Sequence, residues 1–288
     1  MATDGASQVR SLTVGMRRLL TVAAGLVGLA AFQLFVLTDH TDAYFSWTIL
    51  PGMTAAFLGA GYAASFFLEF LASRRAVWVD ARHTVPPVLS FTILTETATL
   101  LHLGKFQFGE QLVWAGAAAW VWISIYTVVP IAMIALLPGQ LRVSGTDPLR
   151  RAALPTPAAA VLAVQGAILL PVGALLFASP VRWASIWPWE LTPLTGRAVG
   201  AWLLGIGIGE ISVIAERDLL RTRPALVSYT VLGALQFVAL ARYSGDVDWS
   251  QPQAWIYLTV VASILAMGVF GVVAGSRVGT RVSEAPPA

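Results

Sequence analysis

The chain has 288 residues, of which 57% are apolar and 11% are charged, and its formal net charge is +3. A soluble core of this size cannot bury so much apolar surface, so the composition excludes an ordinary soluble globular domain. The chain holds no cysteine, which excludes structural disulfides, thiol redox chemistry, thiolate haem ligation and cysteine-ligated metal clusters. Most of the arginines fall in short loops beside apolar segments, where anionic lipid headgroups are the nearest partner, and no loop is long enough for a nucleic-acid-binding fold.

Eight apolar segments reach or approach the roughly 20 residues that a helix needs to cross about 30 Å of hydrocarbon. We place them at residues 17–38, 52–72, 86–103, 112–137, 156–179, 197–216, 224–242 and 253–275. The third is short and begins at Pro86, whereas the fourth is long enough to tilt or to kink at Pro130. The sequence therefore predicts an all-α integral membrane protein with eight transmembrane helices.

The second group of four segments repeats landmarks of the first group in the same order. The matched landmarks are Trp47 and Pro51 with Trp189 and Pro193, residues 58–61 with 204–207, residues 90–94 with 228–232, and residues 119–122 with 254–257. Such self-similarity is typical of a duplicated chain. We therefore divide the protein into a tail (1–16), a first four-helix repeat (17–137), a linker (138–155), a second four-helix repeat (156–276) and a second tail (277–288), and we expect disorder up to about Gly15 and from Ser283 onward.

The distribution of basic residues predicts the orientation in the membrane. Fourteen of the 18 arginine and lysine residues fall on the side that carries both tails, and the other side has only Lys105, Arg182, Arg197 and Arg242. Because basic residues accumulate in cytoplasmic loops, both termini are predicted to be cytoplasmic, in the inner (cell) membrane. With four helices in each repeat, the two repeats enter the membrane from the same side and are parallel, which disfavours the inverted-repeat plan of many transporters.

Ionisable residues inside a membrane are the first candidates for function, because each costs at least about 2.5 kcal/mol near the bilayer centre. Glu96 falls in the middle of the third segment, and Glu210 falls deep in the sixth. Glu69 and Glu216 come just before arginines at the ends of their segments, and we interpret them as structural anchors that reach the interface. The sequence therefore favours Glu96 and Glu210.

Glu96 belongs to a polar stripe at helical spacing, formed by Thr92, Thr95, Glu96, Thr99 and His102. Such a face could pass protons or bind a small cation, or it could simply hold helices together through hydrogen bonds. In the second repeat, Gln236 belongs to a weaker stripe with Tyr229 and Tyr243. If the two repeats pack around a twofold axis, Glu96 and Glu210 could line one asymmetric cavity, with Gln33 and Gln165 as neighbours.

Aromatic residues gather in the outer loops, among them Trp47 and Trp189 at matching positions of the two repeats. They are typical of an aromatic belt at the lipid headgroups. The alternative is that these two tryptophans line a shared outer vestibule.

The leading hypothesis is a permease-like transporter of an unidentified small solute, with the proton as a candidate coupling ion. The candidate substrate or proton-path residues are Glu96, Glu210, Thr92, Thr99, His102 and Gln236. The alternatives are a non-catalytic membrane assembly subunit or lipid-binding scaffold and an intramembrane lipid-modifying enzyme, for which no nucleophile or metal-ligand set is found near a segment. We predict no cofactor and no metal, the lipid bilayer as partner, and leave open a homo-oligomer or a membrane partner protein.

Overall fold

A computed structural model describes residues 8–109 and 113–284 of the chain, so the predicted tail residues 1–7 and 285–288 lie outside the described residues. The described ranges contain eight helices that are long and apolar enough to cross a membrane. Their bounds are α1 Val14–Ala31, α2 Gly52–Ser73, α3 Val85–Leu101, α4 Val113–Leu141, α5 Thr156–Ala178, α6 Pro193–Glu216, α7 Arg223–Arg242 and α8 Pro252–Glu284. The chain is therefore a polytopic α-helical membrane protein, as the composition predicts.

Several helix ends differ from the sequence prediction, and three of them illustrate why. Helix α4 runs through Pro138 to Leu141, and α8 continues past residue 275 to Glu284. The chain between Val278 and Glu284 holds no proline, so nothing there forces the helix to end. At the other end of the chain, α1 begins earlier than predicted because the Thr13 hydroxyl caps it by accepting from the backbone amide of Met16 at 3.4 Å.

The segment before α1 is ordered from residue 8 onward, although the sequence predicts disorder up to Gly15. The amide of Arg10 donates to the carbonyl of Thr146 at 3.1 Å, and the amide of Leu12 donates to the carbonyl of Ala76 at 2.9 Å. The Leu12 side chain is buried as well. The polar composition of this segment suggested disorder, but its backbone groups find partners in two loops that are distant in sequence.

The eight helices form a closed ring. In order around the ring the neighbours are α1, α2, α7, α8, α5, α6, α3 and α4, and α4 contacts α1 again. The α2 and α6 helices also touch each other across the ring. Each half of the chain thus supplies its second and third helices to the centre and its first and fourth helices to the two ends.

Charged residues join the two halves on the side of the ring that carries both chain ends, which we call the terminal side. The guanidinium group of Arg82, before α3, pairs with Glu216 at the end of α6 at 2.5 Å and with Asp147 in the linker at 2.6 Å. The carboxylate of Glu216 also lies 3.5 Å from Arg221. The linker also bonds to the second half, because the backbone amide of Arg151 donates to Asp218 at 2.5 Å, so it is part of the packed structure.

Small residues allow the helices to approach closely. A Cβ atom added to Gly59 on α2 would lie 2.6 Å from the backbone nitrogen of Phe35, in the π-helical turn Phe32–Val36 that continues α1. A Cβ atom on Gly200 of α6 would lie 2.7 Å from the backbone nitrogen of Phe177 on α5. The first two helices of each half are therefore held at a distance that only glycine allows.

The predicted belt tryptophans divide between two buried clusters and the surface. Trp47 packs against Phe45, Phe106 and Trp122, and Trp189 packs against a separate group that includes Trp187 and Tyr257. Trp114 remains exposed, as expected of a headgroup residue. Trp47 and Trp189 thus belong to two groups of aromatic rings, and no direct ring contact between these two tryptophans is found within the described residues.

Candidate functional site

The polar stripe of α3 divides between two faces. Thr92, Thr95 and Thr99 are buried, whereas Glu96 is partly exposed. The hydroxyl of Thr92 donates to the carbonyl of Val88 at 2.9 Å, and that of Thr99 accepts from the indole nitrogen of Trp122 at 3.0 Å. The stripe therefore bonds mainly to its own backbone and to α4.

Glu96 faces α4. Its Oε1 atom accepts a hydrogen bond from the hydroxyl of Thr127 at 2.8 Å. Its Oε2 atom is buried and finds no hydrogen-bond partner in the described part of the chain. This is the geometry of a polar contact between neighbouring helices, in which one carboxylate oxygen has no described partner.

Glu210 is fully buried on α6, with 0% of its surface exposed. Among the described residues neither carboxylate oxygen has a hydrogen-bond partner. Its Oε2 atom lies 3.4 Å from the place where a Cβ atom of Gly166 on α5 would be, so this glycine makes room for the carboxyl group. Glu210 thus faces α5 and Glu96 faces α4, and the two carboxylates are not brought together.

The remaining candidates from the sequence are separate from both carboxylates. His102 lies beyond the end of α3, where its Nε2 atom is 2.7 Å from the guanidinium group of Arg197. Gln236 on α7 donates to the carbonyl of Phe57 at 3.1 Å and accepts from the hydroxyl of Tyr257 at 2.8 Å. Gln165 bonds to Ser263 on α8, and Gln33 bonds to the carbonyl of Tyr44, so neither contacts Glu96 or Glu210 in a described hydrogen bond.

A cavity of about 70 Å³ lies inside the ring, which is room for several water molecules. Helices α1, α2, α3, α4, α6 and α7 all contribute to its wall. Its polar lining consists of Ser65, Glu69, His83, Thr92, Tyr126, Ser228 and Tyr229. The sequence interpretation named only Thr92 in this set as a candidate site residue.

The structure corrects the interpretation of Glu69 as an interfacial anchor. The residue is only 3% exposed and it lines the central cavity, where its Oε2 atom has no hydrogen-bond partner within the described ranges. Its position near the end of α2 suggested a side chain that reaches water, but this face of α2 points into the ring. Tyr62, Ser65 and Glu69 stand at three- and four-residue spacing, and this pattern could have identified the inward face.

Glu216, by contrast, is an anchor. Its partners are Arg82 and Arg221, which come from other parts of the sequence, and not the adjacent Arg217. The arginine that follows α6 in sequence instead adopts a left-handed conformation, with φ of 54°, and ends the helix.

His83 is a second cavity residue that the sequence did not single out. It is buried in the turn before α3, and neither ring nitrogen has a hydrogen-bond partner in the regions that the structure describes. The hydroxyl of its neighbour Thr84 is likewise buried without a described partner. An imidazole and a carboxyl group that line the same cavity are residue types that can accept and release protons.

Aromatic residues close the cavity on the side away from the chain ends. Trp202 on α6 packs against Phe91 at 4.1 Å and Tyr62 at 5.0 Å between ring centroids. The hydroxyl groups of Tyr62 and Tyr126 lie 2.6 Å apart. The Arg82–Glu216 ion pair lies on the terminal side, so the cavity has a packed aromatic barrier on one side and an ionic contact between the halves on the other.

No group of three or more histidine, aspartate and glutamate side chains within residues 8–109 and 113–284 is arranged to hold a metal ion. Comparison with known protein families, curated proteins and solved structures gives no match.

Proposed function

We propose that this protein is a permease-like transporter of a small solute in the inner membrane, and that transport is coupled to protons. The observation that carries the proposal is the carboxyl group of Glu69, which lines the central cavity together with His83 and has an oxygen without a described partner. An unpaired carboxylate away from water is costly, so such a group favours a bound proton or cation.

The helix packing supports the proposal of two parallel repeats. If α1–α4 are matched to α5–α8, the α1–α2 contact corresponds to α5–α6, the α3–α4 contact to α7–α8, and the α2–α7 contact to α6–α3. The α1–α4 contact likewise corresponds to α5–α8. A twofold axis along the membrane normal, with the cavity beside it, would exchange the two halves and produce these matching contacts.

The two barriers support an alternating-access mechanism. Release of the Arg82–Glu216 pair would open the cavity toward the terminal side, and separation of Trp202 from Phe91 and Tyr62 would open it toward the other side. The cavity would then reach one side of the membrane at a time, and protonation of Glu69 would favour one of the two states. Glu96 and Glu210 remain proposed as further proton-holding residues, because each has at least one buried oxygen without a described partner.

The second candidate is an assembly subunit or lipid-binding scaffold. The bonds between Glu96 and Thr127 and between Gln236 and Tyr257 favour it, because in both pairs a polar side chain holds neighbouring helices together. In this case Glu69 and Glu210 would stabilise the fold without exchanging protons.

Infrared difference spectroscopy between acid and alkaline pH distinguishes the two candidates. We expect the carbonyl band of a protonated carboxylic acid to decrease in Glu69→Gln and Glu210→Gln, because each variant removes one proton-holding group. Asp42→Asn removes an exposed carboxylate and serves as the control. A difference band that is unchanged by both variants, or a wild-type spectrum without a carboxylic acid difference band, would refute proton exchange at these sites.

A functional experiment measures proton uptake into proteoliposomes that contain a pH-sensitive dye. A membrane potential imposed by a potassium gradient and valinomycin drives the uptake. We expect Glu69→Gln to slow proton uptake at least about tenfold, which corresponds to a barrier increase of roughly 1.4 kcal/mol. Asp42→Asn should keep the wild-type rate. Native mass spectrometry that finds a stable protein partner, together with no proton uptake by the wild type, would favour the assembly subunit.

A further inference from the structure

A second, larger cavity of about 420 Å³ lies next to the central cavity, with which it shares Ile206 and Leu232, and its wall does not include Glu69 or His83. Its walls come mainly from α5, α6, α7 and α8, and they include Ile168, Val172, Leu203, Val260 and Ile264. A volume of this size is typical of a site for a small organic molecule. Ile256, which also lines the cavity, is 55% exposed, so the cavity opens at the outer surface of the helix ring, where lipid chains lie.

The matching region of the first half is filled. There, Trp47, Phe106 and Trp122 surround a space of only about 10 Å³. Thr95 in that region corresponds in the sequence alignment of the halves to Gly233 in the larger cavity, and Trp122 corresponds to Tyr257. Smaller side chains have therefore left an opening in one half at a position where the other half is closed by aromatic rings.

The apolar cavity continues into a polar depression of about 890 Å³ on the side of the molecule away from the chain ends. The two spaces share Ser185, Trp187, Pro188 and Gln253 in their walls. The depression is acidic, because Glu190, Asp246 and Asp248 line it and its described lining includes no lysine or arginine. The Oδ2 atom of Asp246 accepts from the backbone amide of Met53 at 2.9 Å, and the Oδ1 atom of Asp248 accepts from the backbone amide of Ser250 at 3.1 Å and from its hydroxyl group at 2.5 Å.

Aromatic rings stand at the junction of the two spaces. Trp187 lies 5.0 Å from Trp189 and 5.6 Å from Tyr257 between ring centroids. Trp187 lines both spaces, whereas Tyr257 lines the apolar one and Trp189 the acidic one. Aromatic faces next to carboxylates attract an organic cation, whereas an anionic head group would be repelled by this surface.

We infer that this composite site binds a cationic amphiphile with one apolar chain. The chain occupies the cavity between α5 and α8, and the ammonium head lies at the aromatic junction and faces Glu190 and Asp248. Entry through the opening beside Ile256 allows the molecule to arrive from the membrane. This ligand class is independent of the proton site at Glu69, which lies in the central cavity.

The test is photolabelling of the purified protein in nanodiscs with a dodecyl ammonium probe that carries a diazirine near the chain end. We expect adducts on peptides of α5 and α8, located by mass spectrometry. A dodecanoate probe with the same diazirine should label these peptides at least about tenfold less, which corresponds to roughly 1.4 kcal/mol of head-group selectivity. Equal labelling by both probes would overturn the assignment of a cationic head.

Two kinds of variant separate the chain site from the head site. Val260→Phe fills the cavity and should abolish labelling by the ammonium probe, whereas Val164→Phe adds the same volume to an exposed position of α5 outside the cavity and should have no effect. The double variant Glu190→Gln/Asp248→Asn should weaken labelling by the ammonium probe. Labelling by the dodecanoate probe should be unchanged or stronger. Labelling that survives Val260→Phe, in a protein that unfolds at the wild-type temperature, would overturn the proposed cavity.

Discussion

Glutamate has three different roles in this protein, and the surroundings of each side chain determine which role it has. Glu216 forms ion pairs, Glu96 bonds to a hydroxyl group on a neighbouring helix, and Glu69 faces a cavity. The sequence predicts how deep each glutamate lies, because depth follows from its position along a helix. It does not predict what each side chain faces, because that depends on which helices are neighbours.

His102 carries a prediction about pH. The pKa of His102 is lowered by partial burial and by the positive charges of Arg197 and Lys105. The folded protein therefore binds a proton at this site less readily than the unfolded chain does, and the free energy of unfolding should decrease as the pH falls through about 6.5 and below. At higher pH the histidine is neutral in both states and makes no such contribution.

Thermal unfolding of the detergent-solubilised protein between about pH 7 and pH 5 measures this effect. We expect His102→Gln to reduce the loss of stability on acidification relative to the wild type. His40→Gln, at an exposed histidine, is the control. An identical pH dependence in the wild type and His102→Gln would contradict the prediction.

At the scale of helices, the sequence predicts which helices form more accurately than it predicts the residues at which they begin and end. All eight helices were predicted because 20 apolar residues are needed to cross a bilayer and few other arrangements satisfy their backbone groups. The end of α4 was missed because Pro138 was taken as a break, although a proline near a helix end removes only one hydrogen bond. The order of segment 8–13 was missed because it depends on loops around residues 76 and 146.

The glycines of the helix contacts give a second prediction. Gly59→Ala would place a methyl group 2.6 Å from the backbone nitrogen of Phe35, in the π-helical turn that continues α1. The two segments would have to separate, and we expect a loss of about 1–3 kcal/mol in the free energy of unfolding. Gly25→Ala is the matched control, because nothing lies within 4 Å of its Cβ position. That variant should be neutral or stabilising by up to about 1 kcal/mol, since alanine favours the helix.

Thermal unfolding in the same detergent compares the two variants. Equal stability of Gly59→Ala and Gly25→Ala would mean that the α1–α2 contact is not as close as described. Both glycines lie within apolar segments of the sequence, and only the neighbouring helix distinguishes them.

At the scale of the whole molecule, the sequence predicts the number of membrane-spanning helices, but it does not predict their order around the ring. The landmark repeats suggest two four-helix units, yet the central helices contact the opposite half, α2 with α7 and α3 with α6. The candidate site therefore forms between the halves, from residues whose partners lie far away in sequence. For this reason Glu69 and His83 were not recognised together before the fold was known.

The predicted orientation can be measured because the chain has no cysteine of its own. Leu149→Cys and Val181→Cys place single thiols at positions that are 89% and 81% exposed on opposite sides of the ring. We expect a membrane-impermeant maleimide to label Val181→Cys in spheroplasts and Leu149→Cys only in inverted vesicles, because both termini are predicted to be cytoplasmic. The reverse pattern would place the termini outside.

The ion pairs of Arg82 have a consequence for biosynthesis. Its partners Asp147 and Glu216 follow it by 65 and 134 residues, so both are still missing when Arg82 leaves the ribosome. The first four helices must enter the bilayer with this guanidinium group unpaired, and it gains its last carboxylate only after the sixth helix has been made. The first half of the chain therefore completes its packing late in translation, and a nascent chain that ends before residue 147 would leave this guanidinium group without either carboxylate.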